Sequence, residues 1–192
     1  MVITPIKLEL PSGTIPQRRN SNDSLLKTQD LYMKDRDNNE KQVSDKSSMV
    51  DVGMKAVTRR EALAECYIHF PEDVFSDLKK NGFLTHKGSI ISTSTVAGLM
   101  GVKKTPDILP LCHPISVSGT DITIEPEENK IRIQCLVRCE GKTGVEMEAL
   151  TGASVAALCI YDMCKAFSHD LTITDLKLCF KKGGKSDYKG GQ

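Results

Sequence analysis

Two periods of apolar residues run through this chain from about residue 49 onward. Ala62, Ala64, Cys66, Ile68 and Phe70 alternate with mostly polar neighbours, the spacing of a half-buried strand. Pro71-Glu72-Asp73 then predicts a short helix, because proline suits a first turn and acids there favour the helix dipole. Asn81-Gly82 closes it. A second helix is predicted over 90–104, stopping ahead of Pro106. Residues 115–125 and 130–140 read as the two arms of a hairpin. Ile122 and Ile124 alternate on one arm, and Ile131, Ile133, Cys135 and Val137 on the other, with Pro126-Glu127-Glu128-Asn129 as the turn. The longest helix is predicted over 145–167. In it Gly152, Ala153, Ala156 and Ala157 place small side chains at helical spacing, so another element can approach closely. A last strand covers 176–180, and Gly183-Gly184 then breaks the chain. This order of elements predicts an α+β fold, a ferredoxin-like antiparallel sheet with helices packed on one face.

Neither period is present before residue 49. Residues 1–48 are polar, rich in Ser, Asn, Asp and Lys, and predict a disordered leader or linker. The folded domain is expected over 49–187 and a flexible tail over 188–192. A chain of 192 residues suits one domain better than two. The leader carries eight Lys and Arg against seven Asp and Glu, which argues against a typical transit peptide. It lacks a long apolar core with a cleavage site, so secretion is not expected. No apolar run approaches the ~18 residues of a membrane helix. The net charge of +1 gives no overall argument for nucleic acid or an anionic membrane, and there is no Trp to act as a stacking platform. Charge is nonetheless uneven, because five Lys and one Asp lie between Lys177 and the end.

Seven cysteines, Cys66, Cys112, Cys135, Cys139, Cys159, Cys164 and Cys179, are scattered and mostly set in apolar runs. They read as reduced core thiols. Cys135 and Cys139 are not a C-x-x-C pair and no second pair completes a zinc site, so no metal ligand set is assigned.

Four clusters carry candidate chemistry. Leu111-Cys112-His113-Pro114 places a histidine, an acid, base or contact residue, in a loop that Pro114 stiffens. Gly141-Lys142-Thr143 resembles a phosphate loop but lacks its first glycine, since Leu136 stands there; Gly184-Lys185-Ser186 fails likewise at Cys179. Just after the first of these, Glu146 and Glu148 flank Met147, and paired carboxylates suit a guanidine-like edge. Asp162 and Lys165 are neighbours on a helix, and the apolar run around them implies a partly buried pair or one facing a cavity. Lys181, Lys182, Lys185 and Lys189 surround Gly183-Gly184 and suit a flap that closes on a polyphosphate, with Lys87 and Arg60 as further anion contacts. The plain alternatives are a structural loop histidine, ordinary first-turn acids, an exposed ion pair and a solvated tail.

Distance constrains how these clusters combine. On one continuous helix, Glu148 and Asp162 would lie ~21 Å apart along the axis. A small ligand in one chain cannot span both. Either Glu148 precedes the helix, or a second subunit brings its own glutamates to the Asp162–Lys165 pair. The second reading is favoured, with the Gly/Ala face as the contact between subunits.

The stretches Met49-Val50-Asp51-Val52, Leu111 to Pro114, Lys142 to Thr151, Ile160 to Ala166 and Gly183 to Ser186 resemble the cyclic pyranopterin monophosphate synthase family. The resemblance covers about 49–187. It implies a lyase of molybdenum cofactor biosynthesis that converts a 3′,8-cyclised dihydro-GTP to cyclic pyranopterin monophosphate and pyrophosphate. It further implies a ferredoxin-like fold and a homohexamer, a trimer of dimers with sites at subunit interfaces. The catalytic aspartate falls on Asp162 and the general acid/base lysine on Lys165. The substrate loop falls on Leu111, Cys112 and His113, the pterin-edge contacts on Glu146, Met147 and Glu148, and the phosphate and proton-transfer cations on Arg60, Lys87, Lys181 and Lys185. Cations gathered around a triphosphate would lower the Lys165 pKa. No cofactor is required by the sequence, although Mg2+ suits the substrate's phosphates. Gly101 and Gly152 stand where alanine is common in the family, a change expected to soften packing. The resemblance places the chain in the mitochondrial matrix if eukaryotic and in the cytoplasm otherwise, with the leader a linker or presequence. The competing reading is a ferredoxin-like module that binds a nucleotide or RNA without chemistry. The neutral folded part and the lack of an aromatic strand pair speak against RNA.

Overall fold

The computed structural model describes residues 47–190. The expected leader therefore lies outside the described residues, save for Ser47 and Ser48. Strand β1 (Thr58–His69) is followed by α1 (Glu72–Lys80), a short hairpin of β2 (Leu84–Thr85) and β3 (Gly88–Ser89), and α2 (Ile90–Ile108). Then come β4 (Val117–Glu127), β5 (Lys130–Gly141), α3 (Glu146–Cys164), β6 (Thr172–Lys182) and β7 (Tyr188–Lys189). The main sheet has the order β4-β5-β1-β6-β7, with antiparallel pairing throughout. Without α1, the small hairpin and β7, this is the β-α-β-β-α-β connectivity of the ferredoxin-like fold.

The strand period decides which face is dry. Ala62, Ala64, Cys66 and Ile68 of β1 and Ile131, Ile133, Cys135, Val137 and Cys139 of β5 are fully buried. They lie under α3, where the Cys66 thiol reaches the Ala153 carbonyl at 3.5 Å. The opposite face is polar. Arg132 pairs there with Glu125 and Glu127, Arg138 with Asp121, and Gln134 donates to Glu65 at 2.8 Å. All seven cysteines are free, and burial pushes the thiols of Cys66 and Cys135 up to about 12 and that of Cys164 up to about 11.

Several details depart from the sequence expectations. α2 runs through Pro106 to Ile108. So near the helix end, proline forfeits one intrahelical bond. Buried Val102 and Thr105 hold the last turn, and the Leu109 N–H closes it on the Thr105 carbonyl at 2.9 Å. The hairpin turn is only Glu128-Asn129, with Asn129 in the left-handed region (φ 50°), while Pro126 lies inside β4 opposite Ile131. β4 is an edge strand, where a missing N–H can face outward. β6 is longer than 176–180 because it pairs with β1 along nearly its whole length; its register shifts hide its period. Tyr188 and Lys189, within the expected tail, pair with Lys181 and Phe180. α3 is long and apolar enough to cross a membrane, contrary to the reading that no run approaches that length, but half of that stretch is buried within the fold.

Two expectations about small residues are corrected. The Gly152/Ala153/Ala156/Ala157 face of α3 does not point outward to a neighbouring subunit. It is buried inside the chain, against α2 and the sheet. Nor do the glycines soften packing. A Cβ on Gly152 would stand 2.6 Å from both Cys135 Sγ and Val102 Cγ2, and one on Gly101 would stand 2.9 Å from Val155. Glycine lets the two helices close on each other at this crossing. Gly152→Ala is therefore expected to overpack the core and lower stability by about 1–3 kcal/mol. Urea unfolding at fixed protomer concentration would measure this; an unchanged midpoint would show that the crossing yields without cost.

Candidate active site

The start of α3 gathers most of the candidate residues. The loop after α2 turns at Leu109, whose carbonyl accepts the Cys112 N–H at 3.0 Å, and it presents Leu111, Cys112 and His113 to a cleft of about 550 Å3. Met147 and Glu146 form its far wall, and Val50, Val52 and Lys55 cover it from the N-terminal side. Glu148 lies behind Cys112 and lines not this cleft but a separate one of about 480 Å3. It is 1% exposed, its Oε1 accepts the Cys112 thiol at 3.7 Å, and its Oε2 has no hydrogen-bond partner among the described residues. Burial raises the Glu148 pKa, and burial together with the Glu148 carboxylate raises that of Cys112.

A smaller cavity of about 220 Å3 adjoins this cleft through Lys55, Thr143, Gly144 and Glu146. Its wall carries six cationic residues, Lys55, Arg60, Lys142, Lys181, Lys182 and Lys185, against two acids, Glu61 and Glu146. Such a bias suits a polyanion. Arg60 is buried and donates from Nε to the Gly141 carbonyl at 2.9 Å, so its terminal nitrogens are aimed by the fold. Lys181 rests on Glu146 at 3.2 Å. The two glutamates that flank Met147 therefore face different partners, one a lysine and the other a thiol. Gly183 has φ 82°, and a Cβ there would meet the Arg59 carbonyl oxygen at 1.9 Å, so only glycine lets β6 turn back beside Arg60. A further cleft of about 670 Å3, along β6 and β7, holds Lys181, Lys182 and Lys189 of the candidate basic flap.

The other end of α3 holds the charged pair. Asp162 sits in the last turn and Lys165 is the C-cap; Lys165 Nζ lies 2.9 Å from Asp162 Oδ1. Lys87, from the turn between β2 and β3, reaches Asp162 Oδ2 and its backbone carbonyl, both at 3.0 Å. One carboxylate is thus held between two ammonium groups. Its hydrogen bonds to Lys165 and Lys87 lower the Asp162 pKa, and the bond to Asp162 raises that of Lys165. This reverses the expectation of a depressed Lys165, because its nearest charge is a carboxylate rather than another cation. The pair is also not buried: the side chains of Asp162 and Lys165 are 57% and 52% exposed. The apolar residues of α3 face inward, and the helix end projects past them.

Of the twelve residues that the family resemblance carries over, nine thus meet at one end of α3, and Lys87, Asp162 and Lys165 meet at the other. Because Glu148 lies within the helix, the alternative in which it precedes the helix is removed. The profile of the MoaC family matches residues 49–184, which takes in both ends. The chain belongs to the MoaC family. Among curated relatives it is 50% identical over 146 residues to the cyclic pyranopterin monophosphate synthase of Xanthomonas axonopodis pv. citri, covering 76% of this chain and 88% of that one. It is likewise 50% identical over 141 residues to the synthase of the same name from Xanthomonas campestris pv. campestris (strain B100), covering 73% and 86%. The match to the MoaC family falls on the residues described for the two clusters, save that Lys185 lies one position beyond it. Sequence reasoning had not assigned Lys55 or Lys142 a role in the anion cavity. The signal was there in part, since Met49-Val50-Asp51-Val52 and Gly141-Lys142-Thr143 had each drawn notice. Only the fold brings them together.

Proposed function

We propose that this chain is a cyclic pyranopterin monophosphate synthase. It would take 3′,8-cyclo-7,8-dihydroguanosine 5′-triphosphate to cyclic pyranopterin monophosphate, with loss of pyrophosphate. The observation that carries the reading is the carboxylate of Asp162 clasped between Lys87 and Lys165, in a chain about 50% identical to proteins of that name. The chemistry follows from the charges. Asp162 stays ionised and fixes the direction of both ammonium groups. Lys165, held protonated, begins as a proton donor to the guanine-derived ring and becomes a base once the proton has left. The cations around the small cavity would hold the triphosphate and stabilise charge on the departing pyrophosphate. The cleft of Leu111, Cys112, His113 and Met147 would take the ring, with Glu148 behind Cys112. Among the described residues no three His, Cys, Asp or Glu cluster as a metal site. A Mg2+ ion would therefore be held by the substrate's own phosphate oxygens and water.

The two clusters are ~21 Å apart along α3, so we further propose that each site is shared. The start of α3 in one chain would face the end of α3 in a second copy, within a homo-oligomer such as a hexamer. The direct test is an assay with enzymatically made substrate that scores pyrophosphate and the cyclic pterin. Both products are expected. Tight binding of substrate with neither product would instead support the binding-module reading.

A further inference from the structure

The segment ahead of β1 has no regular structure, yet it lies over the site. Val50 and Val52 help wall the 550 Å3 cleft, and Lys55 lines both that cleft and the 220 Å3 cation-rich cavity beside it. Within the segment the Gly53 N–H donates to Asp51 Oδ1 at 2.7 Å and the Lys55 N–H to the Val52 carbonyl at 3.1 Å. These bonds shape a turn but attach it to nothing. The attachment comes from Lys142 Nζ, which donates to the Gly53 carbonyl at 2.6 Å. The segment's apolar side chains do little to hold it, since Val50, Met54 and Val57 are 67%, 99% and 61% exposed. Among the described residues, few buried contacts and one bridging hydrogen bond mark a segment of low local stability.

We propose that residues 49–57 form a strap that closes over the bound anion, with Lys55 as a further phosphate-binding residue and Lys142 as its anchor. The inference rests on reading the cation cluster as the phosphate site. A polyanion in the small cavity would draw the Lys55 ammonium inward. The turn around Gly53, pinned by Lys142, would carry Val50 and Val52 down over the ring cleft. Phosphate binding and covering of the ring would then be one event, which keeps water from a reactive pterin intermediate.

Inorganic triphosphate serves as the probe, with binding followed by calorimetry and the strap by backbone hydrogen exchange. The wild-type protein is expected to bind it, with slowed exchange over 51–57. Lys55→Met should weaken binding about tenfold, the loss of one charge-assisted contact. Lys142→Met should speed exchange over 51–57 before the probe is added and weaken binding less. Lys104→Met, on α2 and paired with Asp107, should leave both readouts unchanged. If Lys181→Met weakens binding while Lys55→Met does not, the strap is no part of the site and the proposal fails, with the anion cavity intact. If the wild-type protein does not bind triphosphate at all, the phosphate reading of the cavity fails with it.

Discussion

Replacing Lys165 with alanine is expected to lower turnover by about 10^2- to 10^4-fold, the range for loss of a positioned general acid or base. The side chain is half exposed and Asp162, its ion-pair partner, is also exposed, so the substitution should not disturb folding. Substrate affinity should change little, because the cations proposed to hold the phosphates lie, Lys87 apart, at the far end of the helix. A kcat loss with KM nearly constant, in the pyrophosphate and pterin assay, is the expected pattern. An equal rise in KM would make Lys165 a binding residue. Unchanged kcat would remove it from the chemistry.

Mixing two dead variants is expected to restore activity. Glu148→Gln damages only the start of α3, and Lys165→Ala only its end. Co-assembled at random from unfolded chains in equal amounts, about one site in four would draw an intact start from one chain and an intact end from another. Recovery of about a quarter of wild-type turnover from two inactive parents cannot occur if each chain holds a whole site. No recovery, with mixed assemblies verified by mass, would mean that both clusters do not serve one substrate.

The sequence made parts of this arrangement readable and left others hidden, for reasons tied to range. The inward rows of β1 and β5 follow from a period of two residues, a local property. The contact of Asp162 with Lys165 follows from spacing on a helix, and so does the separation of Glu148 from Asp162. Lys87 had been read as a cation for phosphate contact and proton transfer, with no link to Asp162. Its place on Asp162 depends on a hairpin with two-residue strands, too short to leave a periodic trace. The small face of α3 was visible, but spacing cannot say whether the element packed on it belongs to the same chain; here it is α2 and the sheet. Exposure of the Asp162–Lys165 pair was misjudged from the apolar residues between its turns, because a helix end can outrun the core that its middle fills. Lys55 and Lys142 are 87 residues apart, and no local pattern couples them.

The edges of the sheet bear on how the protein behaves when crowded. Strand ends with free N–H and C=O groups invite addition of further strands and, eventually, fibrils. Here β4 carries Pro126, so a strand approaching that side would meet a missing donor. On the other side β6 is covered by β7 at only two positions. Self-association through the β4 edge is thus discouraged at Pro126, whereas β6 keeps free backbone groups along the part that β7 leaves uncovered. A further strand that joins this sheet in a concentrated solution should therefore add beside β6 rather than beside β4.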